Sequence, residues 1–325
     1  MMQLLEWHQS QWQQIMDGVS QSRLPHAMLL AGPEGVGKNA FAKLLATRLL
    51  FLQPVDSLPC GQCKSCLLIQ AGTHPDWVQL GREDDSKFIK VDQIRELVDF
   101  AAKTAQMNGF KVASILEADT MNIASANALL KTLEEPSADT VILLISSRSS
   151  SLSATVRSRC QTIRFPIPTS AQSLKWLQTQ TDQPLDALEA LLGVAGGAPF
   201  KALDLMQRNW LMVRRDWLRN LAQVRIGKDD PLPIADKAVA AFKEDLSRAL
   251  REWLSWTQSW MVALAAPAQA DEDARDSLAI MRARVDANLL SQWHDKLLET
   301  IKQLVSNPNP QLLFESLLLF WAQSK

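Results

Sequence analysis

The sequence predicts an α/β domain, a parallel sheet with helices on both faces, followed by two all-helical blocks. Three observations carry this. Short β-type apolar runs alternate with helical patterns up to about residue 165. A glycine-rich segment, GPEGVGK, lies between an apolar run and an amphipathic stretch. Beyond FPIPT, Phe165 to Thr169, the β signals stop and proline-punctuated helical patterns take over.

The strands come first. AMLLA at 27–31, VASIL at 112–116 and VILLI at 141–145 are short β-type runs, apolar but for Ser114, as strands buried on both faces are. Between such runs, Trp12, Ile15, Met16 and Val19 share one helical face, and so do Phe41, Leu44, Leu45 and Leu49. The first helical block, 166–208, is small and contains the turn Gly196, Gly197, Ala198, Pro199. The second, 209–325, is rich in Leu and Trp. Its tryptophans (Trp210, Trp217, Trp253, Trp256, Trp260, Trp293 and Trp321) fit helix faces and read as core packing rather than base stacking. The Leu and Trp content exceeds what a small helical domain needs for its own core, so this block is expected to be the oligomerisation element. Acidic residues near 265–273 mark an exposed connection. A length of 325 residues suits two or three domains of this kind.

Composition narrows the function. A net charge of −1 excludes tight autonomous nucleic-acid binding through bulk electrostatics. No stretch reaches the ~18 apolar residues of a membrane span and the N-terminus lacks a signal-peptide core, so a cytoplasmic chain is expected. Three of the four cysteines cluster as Cys60, Cys63 and Cys66, a spacing for metal rather than for secreted disulfides. Cys160 stands apart as a packed small hydrophobe.

GPEGVGK reads as a phosphate-binding loop: Gly32, four residues, Gly37, Lys38. Its glycines let amides face an anion, the following helix N-terminus adds partial positive charge, and Lys38 could reach terminal phosphates. The magnesium chemistry is deficient. Asn39 stands where a Ser or Thr hydroxyl would ligate magnesium. In KVASILEAD, Leu116 followed by Glu117 stands where an acidic metal support is needed. Hydrolysis is not expected here, and the degenerate loop is read as binding nucleotide weakly or not at all.

NALLKTLEEP at Asn127 to Pro136, flanked by EADTMN, by VILLIS and by RSRC at Arg157 to Cys160, resembles the clamp-loader AAA+ family. The cysteine insertion at about 52–72, the GTHPD run at Gly72 to Asp76 and NPNPQLLFESLLLFW near the C-terminus extend the likeness over nearly the whole chain. The resemblance implies a P-loop AAA+ domain at 1–165, a helical lid at 166–208 and a helical collar at 209–325. It implies that Ser158, Arg159 and Cys160 match the motif whose arginine acts as a finger on a neighbouring subunit's ATP, with Arg157 outside the match. In GAPFKAL it places Phe200 where the family's second nucleotide-binding arginine belongs, and Lys201, one residue on, turns about 100° away. It implies zinc for PCGQCKSC, but the family's first cysteine is replaced by Phe51. Asp56, His74 or water would have to supply the fourth ligand. The implied partners are the motor (gamma/tau) and delta subunits of a loader and, through the complex, the sliding clamp and primer-template DNA. Nucleotidyl transfer belongs to the polymerase holoenzyme, and this chain is expected to be non-catalytic. The alternatives are an ATP-hydrolysing motor subunit of the same family, which Asn39, Leu116 and Phe200 argue against, and a zinc-dependent nucleic-acid-binding module, which would need a basic face and four ligands.

Overall fold

A computed structural model describes residues 3–51, 60–83, 86, 88–107, 109–137, 139–208, 210–242, 246–304 and 308–323. The chain forms two compact units, Met1–Leu205 and Met206–Lys325.

The first unit is built on β1 (Ala27–Ala31), β2 (Trp77–Leu80), β3 (Lys111–Ile115), β4 (Thr140–Ser146) and β5 (Gln161–Arg164). They form one parallel sheet in the order β2-β3-β4-β1-β5. β1, β3 and β4 are buried at every position, which is why their sequences are predominantly apolar, with Lys111, Ser114, Thr140 and Ser146 as the polar members. Around them run α1 (Gln9–Ser20), α2 (Lys38–Leu49), α3 (Lys64–Gln70), α4 (Val91–Ala102), α5 (Ile123–Glu134) and α6 (Ala154–Arg157). Strand alternation splits the core in two. Met28, Leu30, Val112, Leu143 and Ile145 pack with Trp12 and Ile15 of α1 and with Phe41, Leu44, Leu45 and Leu49 of α2. Leu29, Ala113, Ile142 and Leu144 pack with Ile94 and Leu97 of α4 and Leu129 and Leu133 of α5. The sheet is therefore doubly wound, as expected. Three further helices close the unit: α7 (Ser170–Gln178), α8 (Leu185–Val194) and α9 (Pro199–Gln207).

The second unit is helical throughout its described residues: α10 (Trp210–Ile226), α11 (Pro231–Ala241), α12 (Leu246–Ala265), α13 (Glu272–Met281), α14 (Ala287–Gln303) and α15 (Pro310–Gln323). All seven tryptophans are buried in it, and five of them, Trp253, Trp256, Trp260, Trp293 and Trp321, are among the largest fully buried side chains of the chain. That confirms core packing and removes the compositional argument for oligomerisation: the tryptophans are spent on the unit's own core. The connection near 265–273 is largely exposed, yet its acids are structural. Asp271 caps α13 by accepting from Ala274 N and, with Asp273, clasps the buried Arg214 of α10. Among the described residues no helix is long and apolar enough to cross a membrane.

Candidate functional site: a filled phosphate loop and an exposed arginine

The phosphate loop leaves the carboxyl end of β1 and enters α2, where a parallel sheet presents its ligand site. Gly32 has no room for a side chain, since a Cβ there would lie 2.1 Å from Phe165 O. Gly37, at φ 95°, takes the left-handed conformation that turns the loop into α2. The two glycines thus shape a tight strand-to-helix turn, and the space inside it is taken by the chain's own groups. Lys38 is buried and folds back, donating from Nζ to Gly32 O (2.7 Å), Pro33 O (2.6 Å) and Ser147 Oγ (3.2 Å). Burial pulls its pKa down to about 8, although the nearby Glu34 and Asp119 carboxylates act the other way.

The start of α9 lies over the loop. Phe200 N donates to Gly35 O (2.9 Å), and the Phe200 ring comes within 2.8 Å of where a Gly37 Cβ would stand. Lys201, next on the helix, abuts Gly35 with its backbone and Cβ. Trp176 of α7 packs on Phe200 with ring centroids 4.5 Å apart, and Trp7 packs edge-on to Trp176 at 6.0 Å. Trp7 Nε1 and His8 Nε2 both reach Val36 O at 3.0 Å. His8 is held near pKa 4, chiefly by burial, so it is neutral and donates Nε2–H to that carbonyl.

Asn39 is exposed at the first turn of α2. β3 ends at Ile115, and Leu116 is turned into the core beside it. Glu117, at φ 48°, is ion-paired with Arg82. Asp119, which sequence reading passed over, accepts from Ser146 Oγ (2.9 Å), Ser147 N (3.1 Å) and Arg148 Nε (3.2 Å). Burial would raise its pKa, but these donors and the Arg148 charge outweigh it and hold the carboxyl below its usual value. Asp119 thereby ties the end of β4 to the segment after β3 through groups that face the loop lysine. Its signal was only its position, three residues past Leu116.

Ser158, Arg159 and Cys160 follow α6. Ser158 caps the helix, with its N–H on Ala154 O, and is exposed. Cys160 packs against the core under α5, and burial pushes its thiol up to about 11, so it is a neutral anchor. Arg159 between them extends along the surface. Its Nε and Nη2 donate to Glu134 Oε1, the first at 2.7 Å, and Nη1 donates to Thr155 O at 2.9 Å. Arg157 is exposed.

The Sγ atoms of Cys60, Cys63 and Cys66 lie within 4.8 Å of one another. A tetrahedral zinc bound at ~2.3 Å would want sulfurs about 3.8 Å apart, so small rotations complete three corners. The N–H groups of Gln62 and Cys63 lower the Cys60 pKa toward the ligating thiolate, whereas burial pushes Cys66 up to about 12 until a cation compensates. His74 is excluded as the fourth ligand. Its Nδ1 accepts from Asp76 N (3.1 Å), which leaves Nε2–H to donate to Ser65 Oγ (2.9 Å), itself donating to Leu50 O (2.8 Å). Both ring nitrogens are committed. Asp76 accepts from Gln106 N and Met107 N at 2.7 and 2.8 Å, so the GTHPD run is a structural clasp. Asp56 lies outside the described residues. The cluster can hold a metal ion through three thiolates.

A family model described as "DNA polymerase III, delta subunit" matches residues 7–169. The DNA polymerase III subunit delta' of Yersinia pestis is 34% identical, the match covering 78% of this chain and 76% of that protein. This chain belongs to the DNA polymerase III delta' family. The delta' protein of Pseudomonas aeruginosa is 46% identical over 63% of this chain and 62% of its own length. Those of Haemophilus influenzae and Escherichia coli are likewise covered for 65% and 61% of their lengths, so the chain spans under two thirds of these relatives. Among solved structures, a gamma subunit-related protein of Thermotoga maritima aligns over 98% of this chain and 99% of its own, with 16% identity and a TM-score of 0.46. For a delta'-family chain, the filled loop and the outward arginine lie on the same unit, Met1–Leu205, and are set by the same sheet.

Proposed function

We propose that this chain is the non-hydrolysing, stationary subunit of a bacterial clamp loader, working in the cytoplasm beside a gamma/tau-type ATPase and offering Arg159 to that neighbour's nucleotide. The observation that carries this reading is the contrast within one unit: Lys38 and the start of α9 fill the phosphate loop, while Arg159 stands fixed on the surface. With no magnesium hydroxyl at Asn39, no acid at Leu116 and Phe200 against Gly37, the loop can serve as a structural joint between the sheet and the lid at 166–208. The loader as a whole, with a delta subunit, would place the sliding clamp on primer-template DNA. A guanidinium suits the finger role because it is permanently charged and its planar fork matches the oxygens of a transferring phosphoryl group.

The test is a reconstituted loader. The purified chain should not turn over ATP, and turnover abolished by Lys38→Ala would overturn that. Arg159→Ala should leave the complex assembled but lower its clamp- and DNA-stimulated hydrolysis, and Arg159→Lys should rescue poorly, since an ammonium lacks the fork. Trans-acting arginines are worth ~10³–10⁵ in rate in GTPases, and the total effect here is smaller because other ATP sites continue. Wild-type rates for both variants would remove the catalytic half of the proposal.

Zinc is the metal proposed for Cys60, Cys63 and Cys66, as a structural ion whose thiolates would tie the first turn of α3 to the Cys60–Cys63 turn before it, both within the insertion.

A further inference from the structure

We infer that Glu134, at the end of α5, is the positioning residue of the Arg159 finger; this rests on the reading of Arg159 given above. Arginine carries five N–H donors in a planar fork. Glu134 Oε1 takes Nε–H and one Nη2–H, and Thr155 O takes one Nη1–H at 2.9 Å. Ser158 Oγ, at 3.5 Å from Nη1, is too far to hold another strongly. One N–H therefore remains on each terminal nitrogen for a phosphate oxygen. The guanidinium is gripped from two elements, α5 and α6, and keeps its outer edge for a ligand.

The placement of Glu134 is a second, independent indication. Helix C-termini disfavour carboxylates, because the macrodipole and the last carbonyls already present negative charge. α5 nevertheless ends on Glu134, with Glu135 as its C-cap and Lys131 as the basic residue of the last turn. Pro136 follows and holds Glu135 out of the helical region (φ −126°, ψ 73°), fixing where the helix stops. An exposed ion pair of this type adds little stability, so folding alone gives weak reason to put a carboxylate there. Orienting a guanidinium gives a specific one, and it assigns a task to the Glu of the LLKTLEEP run that the fold does not use.

The experiment is a double-mutant cycle in the reconstituted loader with wild type, Arg159→Ala, Glu134→Ala, Glu134→Gln and Arg159→Ala/Glu134→Ala, read as kcat and KM for ATP at matched complex concentration. Glu134→Ala should reproduce most of the kcat deficit of Arg159→Ala with KM unchanged. Glu134→Gln, which still accepts two N–H groups, should recover part of it. The double variant should be no slower than Arg159→Ala alone. Thermal unfolding of each chain checks that the fold is kept, and the Arg159 Nε–H proton, slow to exchange in the wild type, should exchange fast in Glu134→Ala. If Arg159→Ala is slow while Glu134→Ala runs at the wild-type rate, or if the two deficits add, the positioning role is overturned and the finger stands. If Arg159→Ala itself has no effect, both fall.

Discussion

Two buried histidines show how single residues set the pH response of this fold. His8 drops to a pKa of about 4, first through burial, and His74 is lowered by burial as well. Between pH 6.5 and about 4 the unfolded chain binds a proton at His8 that the folded chain refuses, so stability rises with pH across that window and is lost on acidification. The His8 share is about 3 kcal/mol when fully expressed. Asp119 also has a depressed pKa, but its contribution is present above the usual carboxylate value and is lost only as pH falls through a lower range. Urea unfolding at several pH values should therefore give a smaller slope between pH 6.5 and 4.5 for His8→Phe than for wild type; an equal slope would place the acid sensitivity elsewhere. His74→Phe should cost about 1–3 kcal/mol, because Ser65 Oγ and Asp76 N lose a buried partner, with zinc per chain unchanged by metal analysis. Cys66→Ala should lower zinc content. The sequence offered His74 as a ligand because a histidine near three cysteines has the right chemistry. Only the positions of Ser65 and Asp76 reveal that both nitrogens are taken.

At the scale of elements, Asn39 and Leu116 were legible because a phosphate loop and its metal-supporting strand have fixed slots, and a residue in the wrong slot is visible in one sequence; Phe200 was legible only through the family resemblance. What filled the vacated space was not. That Phe200 N bonds Gly35 O and that Trp176 and Trp7 pack behind it depends on how α9, α7 and the turn before α1 meet, across separations that no local pattern encodes. β1, β3 and β4 were readable as apolar runs, whereas the edge strands β2 (WVQL) and β5 (QTIR) are four residues long, partly exposed and mixed in polarity. The latch makes a prediction. Phe200→Arg should loosen α9, seen as faster exchange of the amides at 199–202, yet give no ATP turnover, since Asn39 and Leu116 remain. Turnover from that single substitution would mean that the lid contact, not the missing magnesium supports, keeps the site silent.

Over the whole molecule, the boundary expected between residues 208 and 209 lies close to the division between the two compact units, Met1–Leu205 and Met206–Lys325, whereas the lid expected at 166–208 falls largely within the first of them; the composition of the second unit does not decide its role. Leu and Trp richness fits both a large core and a sticky surface, and here Trp253, Trp256, Trp260, Trp293 and Trp321 are fully buried within their own unit. The assembly role proposed for it is tested by truncation. A chain ending at Arg208 keeps α9 whole and retains Lys38, Phe200, Glu134 and Arg159 with every contact described for them. It should unfold cooperatively, as a unit with its own core does. In the loader assay it should nevertheless fail at micromolar concentration. A collar that holds the subunit in place turns the approach of Arg159 into an intramolecular step, with an effective concentration that reaches about millimolar for short tethers. Without it, the finger must find its neighbour by free encounter at concentrations about a thousandfold lower. Adding excess fragment should then restore hydrolysis progressively without forming a complex stable to gel filtration, and fragment carrying Arg159→Ala should restore none. Full activity of the fragment at concentrations equal to the intact chain would show that the sheet unit assembles by itself and that the helical unit serves another purpose.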